Sequence, residues 1–464
     1  MNSSPVSSAG VKSLSPARSR RRAFATVVVF ALIVFATILL TTVQASSLSQ
    51  ASSGREALAR VRAQWAARAG IESAIARIEA IVDRGETTDA FLTLEDTAAV
   101  ADGELDGASW AVRAQEGAKE VAGAQDAGAR ININRATRDQ LLAVQPLMGE
   151  DQVDAVLDWI DDDDDTRELG AEVGYYKSQA GGVEPRNGPM RSITELELVA
   201  GIDQTDVRGE DWNLNGVLDP NEDDGEVSWP PDNRDGQLDR GWSGVFTTQS
   251  VENPKGKSGE PRLDLTAASE SQIAERVGCT AAQAREVFRW VEAQGEQIQI
   301  ADFVVQPLPA LARAAAQRRG ATRQEIAAAS RTPDLSREQL ANLVDEFSIG
   351  PADAQVLLPG RLNINTCEAK LLETLPGLDP AIADAIVAER AAQTNGFASV
   401  VDLLDIPEVT REILGQILAF IDVRSTVYVV ASKGVDANTG MEVEIVATID
   451  ASTLPASIKE LHVR

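Results

Sequence analysis

The sequence predicts an α+β protein with a long N-terminal membrane-spanning helix, a small antiparallel sheet and a large, mainly helical insertion between the two halves of that sheet. Three observations lead there. An uncharged apolar run from Ala23 to Val43 leads into a helical stripe, β-rich runs flank a strand-poor middle, and a short motif repeats within that middle.

At 1.5 Å rise per residue, the run from Ala23 to Val43 is long enough to cross a hydrocarbon core of roughly 30 Å, whereas the apolar part of a cleaved signal is about 7–15 residues. Arg18, Arg20, Arg21 and Arg22 precede it, so the positive-inside rule keeps residues 1–23 in the cytoplasm and exports the rest. Two competing signals exist: Arg21-Arg22-Ala23-Phe24 resembles a twin-arginine core, and Val43-Gln44-Ala45 is a passable signal-peptidase site. The length and apolarity of the run favour an anchor. Beyond it, Leu58, Val61, Trp65, Ile71, Ile75, Ile78 and Val82 form a stripe with mostly three- and four-residue steps among arginines, so one helix is expected over 24–85.

Residues 86–130 hold the first part of the sheet-bearing head, where 108–114 alternates like a strand and the Gly- and Ala-rich stretch 117–129 reads as a loop. Strand character then disappears until 423–464. There 425–431, 441–449 and 458–463 are β-rich, the first two joined by a turn over 434–440.

Between the two parts lies the repeat. Residues 130–137 read Arg-Ile-Asn-Ile-Asn-Arg-Ala-Thr and 361–367 read Arg-Leu-Asn-Ile-Asn-Thr-Cys; a weaker copy is Arg262-Leu263-Asp264-Leu265-Thr266. Each leads into a short apolar helix, a turn and a second helix. The expected divisions are a first SAM-like or helix-hairpin-helix unit at 131–202, an acidic insertion at 203–260, a degenerate middle unit at 261–360 and a C-terminal helix-hairpin-helix unit at 361–422. Such pairs often grip DNA by presenting a Gly-x-Gly turn to a phosphate. Here Leu375-Pro376-Gly377-Leu378-Asp379-Pro380 puts a carboxylate at the second glycine position. The alternative function is therefore an exported, membrane-anchored DNA-binding or uptake protein.

A basic leader, a small residue followed by Phe, and an apolar half-helix running into an amphipathic one together resemble type IV pilins and pseudopilins. The first unit adds Leu157-Asp158-Trp159-Ile160-Asp161, an acidic run, Gly170-Ala171-Glu172, Tyr175-Tyr176, Pro189-Met190 and Ser192-Ile193-Thr194-Glu195-Leu196. This ordered series resembles the K-type minor pseudopilins of type II secretion systems, the general secretion pathway protein K family. The resemblance implies a pilin-like head interrupted by an α-domain, and a non-enzymatic subunit at the pseudopilus tip that supports assembly and export of folded proteins. It also implies prepilin-peptidase cleavage between Ala23 and Phe24, although Ala23 stands where the family has Gly. The fifth mature residue would be Val28 where major pilins carry Glu, a departure that K-type subunits share. The implied partners are other minor pseudopilins, the inner-membrane assembly platform and the peptidase. The implied location is the bacterial inner membrane, single-pass, with the C-terminal bulk in the periplasm.

The acidic insertion carries one sharp ligand motif. Asp211-x-Asn213-x-Asn215-Gly216-Val217-x-Asp219-x-x-Glu222 places side-chain oxygens at positions 1, 3, 5 and 9 of an EF-hand loop, glycine at 6, the Val217 carbonyl at 7 and a bidentate carboxylate at 12. A structural calcium ion is the expected cofactor. Asn233, Asp235, Gly236 and Asp239 suggest a second loop, but Pro231 and Trp242 occupy its first and last ligand positions. The aspartates 161–165 are a further source of metal ligands, or simply a solvated face.

Composition narrows the remaining classes. With 43 basic against 71 acidic residues the formal charge is −28, and residues 1–22 hold five basic and no acidic residues, leaving −33 without them. Such a surface repels nucleic acid and attracts divalent cations, so no nucleic-acid partner is expected. His462 is the only histidine and Cys279 and Cys367 the only cysteines, so neither a His/Cys zinc site nor a Ser-His-Asp triad can be assembled; no enzyme is expected. Whether the cysteines pair is left open. Gly256-Lys257-Ser258 imitates the end of a phosphate loop, but Val251 replaces its leading glycine.

Overall fold

The computed structural model describes residues 16–85, 90–116, 119–179, 182, 184–350 and 358–464, and among these the side chains of residues 16–23 and 116 are excepted. The basic side chains of the leader and the Ala23 side chain, half of the expected processing site, thus lie outside the described residues.

The chain divides into two compact units, residues 1–61 and 62–464. Helix α1, Pro16–Arg84, supplies the described part of the first. Its residues from Phe24 to Val43 are exposed, uncharged and mostly apolar, and the helix is long and apolar enough to cross a membrane.

In the second unit, the rest of α1 packs on a seven-stranded antiparallel sheet. The strands are β1 (Asp102–Leu105), β2 (Ala108–Glu116), β3 (Lys119–Ala122), β4 (Gln125–Asp126), β5 (Val427–Asp436), β6 (Glu442–Asp450) and β7 (Ser457–Val463). Their order is β1-β2-β5-β6-β7, with β3 pairing on β2 and β4 on β5. Ile71 and Ile78 of the helix meet Val112, Val430, Ile445 and Ile449 in one apolar core. Small residues on that helix face, Ala63, Ala67 and Ala74, allow close approach. The tightest contact is at Gly434, where a Cβ would lie 1.9 Å from the Ala63 carbonyl oxygen, so only glycine fits.

Two expectations are corrected here. The stretch 117–129, read as a loop, carries β3 and β4, because the edges of β2 and β5 offer backbone partners that short unpatterned segments accept. The turn expected over 434–440 begins only at Asp436, whose Oδ2 accepts the N–H groups of Asn438 and Thr439.

The insertion also contains strands. Each repeat unit opens with a two-residue strand in its motif and closes with another that pairs to it in parallel: Ile131–Asn132 with Phe246–Thr247, Leu263–Asp264 with Phe347–Ser348, and Leu362–Asn363 with Ile421–Asp422. Strands this short show no alternation, which is why the pattern missed them. The third motif residue has the same task each time: Asn132, Asp264 and Asn363 accept through Oδ1 the N–H of Asn134, Thr266 and Asn365. This Asx turn directs the chain toward the first helix. The paired helices are Arg138–Ala143 and Glu150–Ile160, Glu270–Val277 and Ala281–Gln294, and Ala369–Leu372 and Pro380–Ala392. Capping boxes at Thr137/Gln140, Ser269/Gln272 and Thr280/Gln283 start three of them. One continuous core, including Leu141, Trp159, Ile273, Phe347, Leu372 and Ile421, joins the three units. Because the first unit closes only at Phe246–Thr247, the acidic segment lies inside it rather than after it.

Candidate metal centre

The segment 211–222 adopts the backbone its motif requires, with Leu214 at φ 54° and Gly216 at φ 68° making the sharp turn at positions 4 and 6. Asp211, Asn215 and Glu222 are buried. Asp211 accepts the N–H groups of Asn215 and Gly216, at 2.9 and 3.0 Å. Asn213 Oδ1 accepts from Asn215 N–H, and Asn215 Oδ1 from Val217 N–H. Glu222 spans the loop, one oxygen accepting Trp212 N–H and the other Asp219 N–H. The motif residues are therefore together, as the sequence reading required. Burial raises the pKa of Asp211, and burial with Asp211 and Asp219 nearby pushes Glu222 up to about 8. Carboxylates in such surroundings fit a hard dication, which would relieve their mutual repulsion.

Groups outside the motif join it, among them Gln125 Nε2 and an Arg208 guanidinium N–H, which donate to the Gly216 and Trp212 carbonyls. Arg240 Nε stands 3.4 Å from Asp211 Oδ2. From the sheet, Lys433 Nζ lies 3.6 Å from Asp219 Oδ1, and Glu444 accepts Asn215 Nδ2 at 3.0 and 3.1 Å. Both lie more than two hundred residues along the chain from the loop, beyond the reach of any local motif.

The weaker loop repeats the same backbone, with Arg234 at φ 55° and Gly236 at φ 72°. Asn233 Oδ1 accepts Asp235 N–H and Asp235 Oδ1 accepts Gln237 N–H, matching the Asn213 and Asn215 contacts two residues apart. Its two missing positions are covered from elsewhere. Asp223 accepts Gly236 N–H, as Asp211 accepts that of Gly216. Glu210 spans the N–H groups of Asn233 and Asp239, at positions 3 and 9, much as Glu222 spans those of Trp212 and Asp219, at positions 2 and 9. Pro231 and Trp242 thus do not leave the loop without acidic groups at those two places.

A third acidic group draws on the aspartate run. Asp161, Asp163 and Glu172 bring carboxylate oxygens within 4.8 Å of one another. Glu172 is buried with neither oxygen hydrogen-bonded, and Asp161 Oδ1 is likewise buried and unpartnered. Burial, then the charges of Asp158 and Asp161, pushes Glu172 up to about 6. Arg167 binds Asp158 and Asp161 at 2.6 and 2.5 Å but makes no bond to Glu172. The aspartates were visible in the sequence; the part played by Glu172 was not, since only the turn between the helices brings it back. Trp159 and Tyr176 pack edge to face beneath, and the Tyr176 hydroxyl accepts Ala200 N–H.

Elsewhere, a cleft of about 1120 Å³ separates parts of the insertion, with Ile298, Val305, Phe347 and Leu418 around Glu252, which Arg135 and Arg361 clasp. In the third unit, Asp379 Oδ1 accepts Ile382 N–H and so caps the helix Pro380–Ala392 with the chain's own carboxylate. That cap occupies the position a DNA phosphate would need. Cys279 and Cys367 are free thiols. Phe24, the described half of the expected processing site, is exposed.

A long N-terminal helix, apolar in its first part and packed on an antiparallel sheet from residue 62 onward, thus precedes a helical insertion that holds the acidic loops. Residues 121–209 match the family of type II secretion system protein K, and residues 360–422 match the helix-hairpin-helix motif. The match over residues 121–209 agrees with the K-type resemblance read from the sequence. No curated protein matches the chain. Among solved structures, a chain of the GspK-GspI-GspJ complex from the type 2 secretion system of enterotoxigenic Escherichia coli aligns with TM-score 0.43 and 12% identity, over 90% of this chain and 99% of that one.

Proposed function

We propose that this protein is a non-enzymatic minor pseudopilin of the K type, set at the tip of the type II secretion pseudopilus, where it supports assembly and the export of folded proteins. The observation that carries this reading is the protein K domain at 121–209, sitting within a helical insertion on a pilin-type head. The helix α1 anchors it in the inner membrane, and the second unit works in the periplasm with other minor pseudopilins and the inner-membrane platform. Val28 supports the tip position: without an acidic group there, the subunit has no carboxylate to offer the N-terminal amine of a neighbour in the bilayer. Prepilin peptidase would cut between Ala23 and Phe24. Mass spectrometry of the mature chain from peptidase-positive cells should find Phe24 first and N-methylated; a start at Ser46 would refute the pilin reading.

Calcium is the structural cofactor in this reading. Asp211, Asn213, Asn215, Val217, Asp219 and Glu222 would hold one ion, and Asn233, Asp235 and Asp239 a second with Glu210 and Asp223. The unpartnered oxygens of Asp161 and Glu172, with Asp163, suit a further one. Each ion supplies charge neutralisation, while the chain's own N–H groups keep the ligands in place.

The helix-hairpin-helix match favours one second reading, DNA binding. The formal charge of −28 and the Asp379 cap oppose it. Binding of duplex DNA should be weaker than the about 10⁻⁴ to 10⁻⁶ M of ordinary non-specific binders at physiological salt. Micromolar, strongly salt-dependent binding in a gel-shift titration would restore that reading.

A further inference from the structure

Lys433 and Glu444 face each other across β5 and β6 as a directly opposed pair. Both reach the first acidic loop, yet neither belongs to its motif. Glu444 accepts both of its short contacts from Asn215 Nδ2, and the same nitrogen donates to Asp219 Oδ2 at 3.0 Å. An asparagine at position 5 of such a loop serves a cation only through its oxygen. With the amide nitrogen held by two carboxylates, Oδ1 is turned the other way, toward Val217 N–H in the body of the loop. Glu444, together with Asp219 and the Val217 N–H, thus holds the Asn215 amide in this orientation.

Lys433 acts with the opposite sign. Its ammonium stands 3.6 Å from Asp219 Oδ1 and 3.7 Å from Glu442 Oε2, and Asp219, Glu442 and Glu444 raise its pKa despite burial. A cation held by Asp219 meets a second positive charge on the same carboxylate. The other charges facing this place are Arg240 at Asp211, the buried Glu222, and Arg464 at the end of β7, whose charge acts on Glu444, Asp211 and Asp219.

We propose that the Lys433–Glu444 pair of the sheet sets the calcium affinity of the 211–222 loop, Glu444 as a positioning residue that presents Asn215 Oδ1 and Lys433 as a competing charge that weakens binding at Asp219. This rests on the calcium reading given above and adds to it that the sheet tunes the loop. The two residues do so with opposite effects, a pattern that general damage to the fold does not produce.

The test is calorimetric titration of calcium chloride into the full-length chain in detergent, the loop's binding event being the one that Glu222→Ala removes. Lys433→Met should tighten that event about threefold or more, the size expected of one unit charge a few ångströms away in a solvated setting. Glu444→Ala should weaken it about tenfold or more, as loss of an outer-shell partner does, and Glu444→Gln, which keeps an acceptor for Asn215 Nδ2, should recover most of that loss. Weakening by both Lys433→Met and Glu444→Ala, or an unchanged dissociation constant in both, overturns the proposal while leaving the calcium reading intact. Absence of any event in the wild type that Glu222→Ala removes overturns both.

Discussion

The loops at 211–222 and 231–242 follow nearly the same path, with left-handed residues at the fourth and sixth positions and side-chain oxygens accepting N–H groups two residues on. They differ in where their acidic groups come from. The first draws Asp211 and Glu222 from its own twelve residues, whereas the second has Asp223 and Glu210 in the corresponding places. A loop of this kind is thus defined by the positions of its oxygens, and continuity of sequence is a convenience.

The largest effect comes from restoring the consensus where it is missing. Trp242 is buried and donates its indole N–H to the Pro146 carbonyl, so Trp242→Glu should cost about 3–5 kcal/mol in a denaturant melt rather than complete a calcium site. A variant that is stable and binds calcium more tightly would show the second loop to be an ordinary one with a defective last residue. Next come the spanning carboxylates. At calcium ten times the dissociation constant, one ion should stabilise the fold by RT ln 11, about 1.4 kcal/mol. Glu222→Ala and Glu210→Ala should each remove one such contribution in thermal melts with and without chelator, and each should leave the other loop's ion in place. If Glu210→Ala leaves calcium stoichiometry unchanged, the second loop is not completed from outside. The smallest effect is expected for Pro231→Asp, which supplies a carboxylate where Asp223 already serves, and equilibrium dialysis should find calcium binding unaltered.

The same contrast explains what could be read in advance. Contiguous patterns were legible: the apolar and amphipathic halves of α1, the strand at Ala108, the C-terminal strands, the repeated Arg-Ile-Asn-Ile-Asn motif and the loop at Asp211. The joining of the two halves of the sheet across the insertion was also foreseen, but the individual short strands and side chains that depend on distant partners were not. β3 and β4 exist because β2 and β5 have open edges, and the two-residue strands of the repeats exist because the end of each unit returns to its beginning. Glu210, Lys433 and Glu444 carry no local signature, and Glu172, although part of the quoted Gly170-Ala171-Glu172 series, gave no sign of its place beside Asp161 and Asp163.

The pairing of β4 with β5 sets Asp126 opposite Tyr428, so the chain departs from the sheet and rejoins it at neighbouring points about 300 residues apart in sequence. Asp126 also holds the third unit, accepting Asn363 Nδ2 at 2.7 Å and the Thr366 hydroxyl at 2.6 Å. This arrangement has a consequence for the order of assembly during synthesis. Each helical unit can close as soon as its own last strand emerges, first near Phe246, then near Phe347, then near Ile421. The sheet must wait, because β5, β6 and β7 are made last. At about 5–20 residues per second, the strands made first stay without their main partner for some tens of seconds. During that interval β2 presents an open edge, and the α1 face destined for the sheet is still uncovered, the state in which a nascent chain most needs protection from wrong pairings.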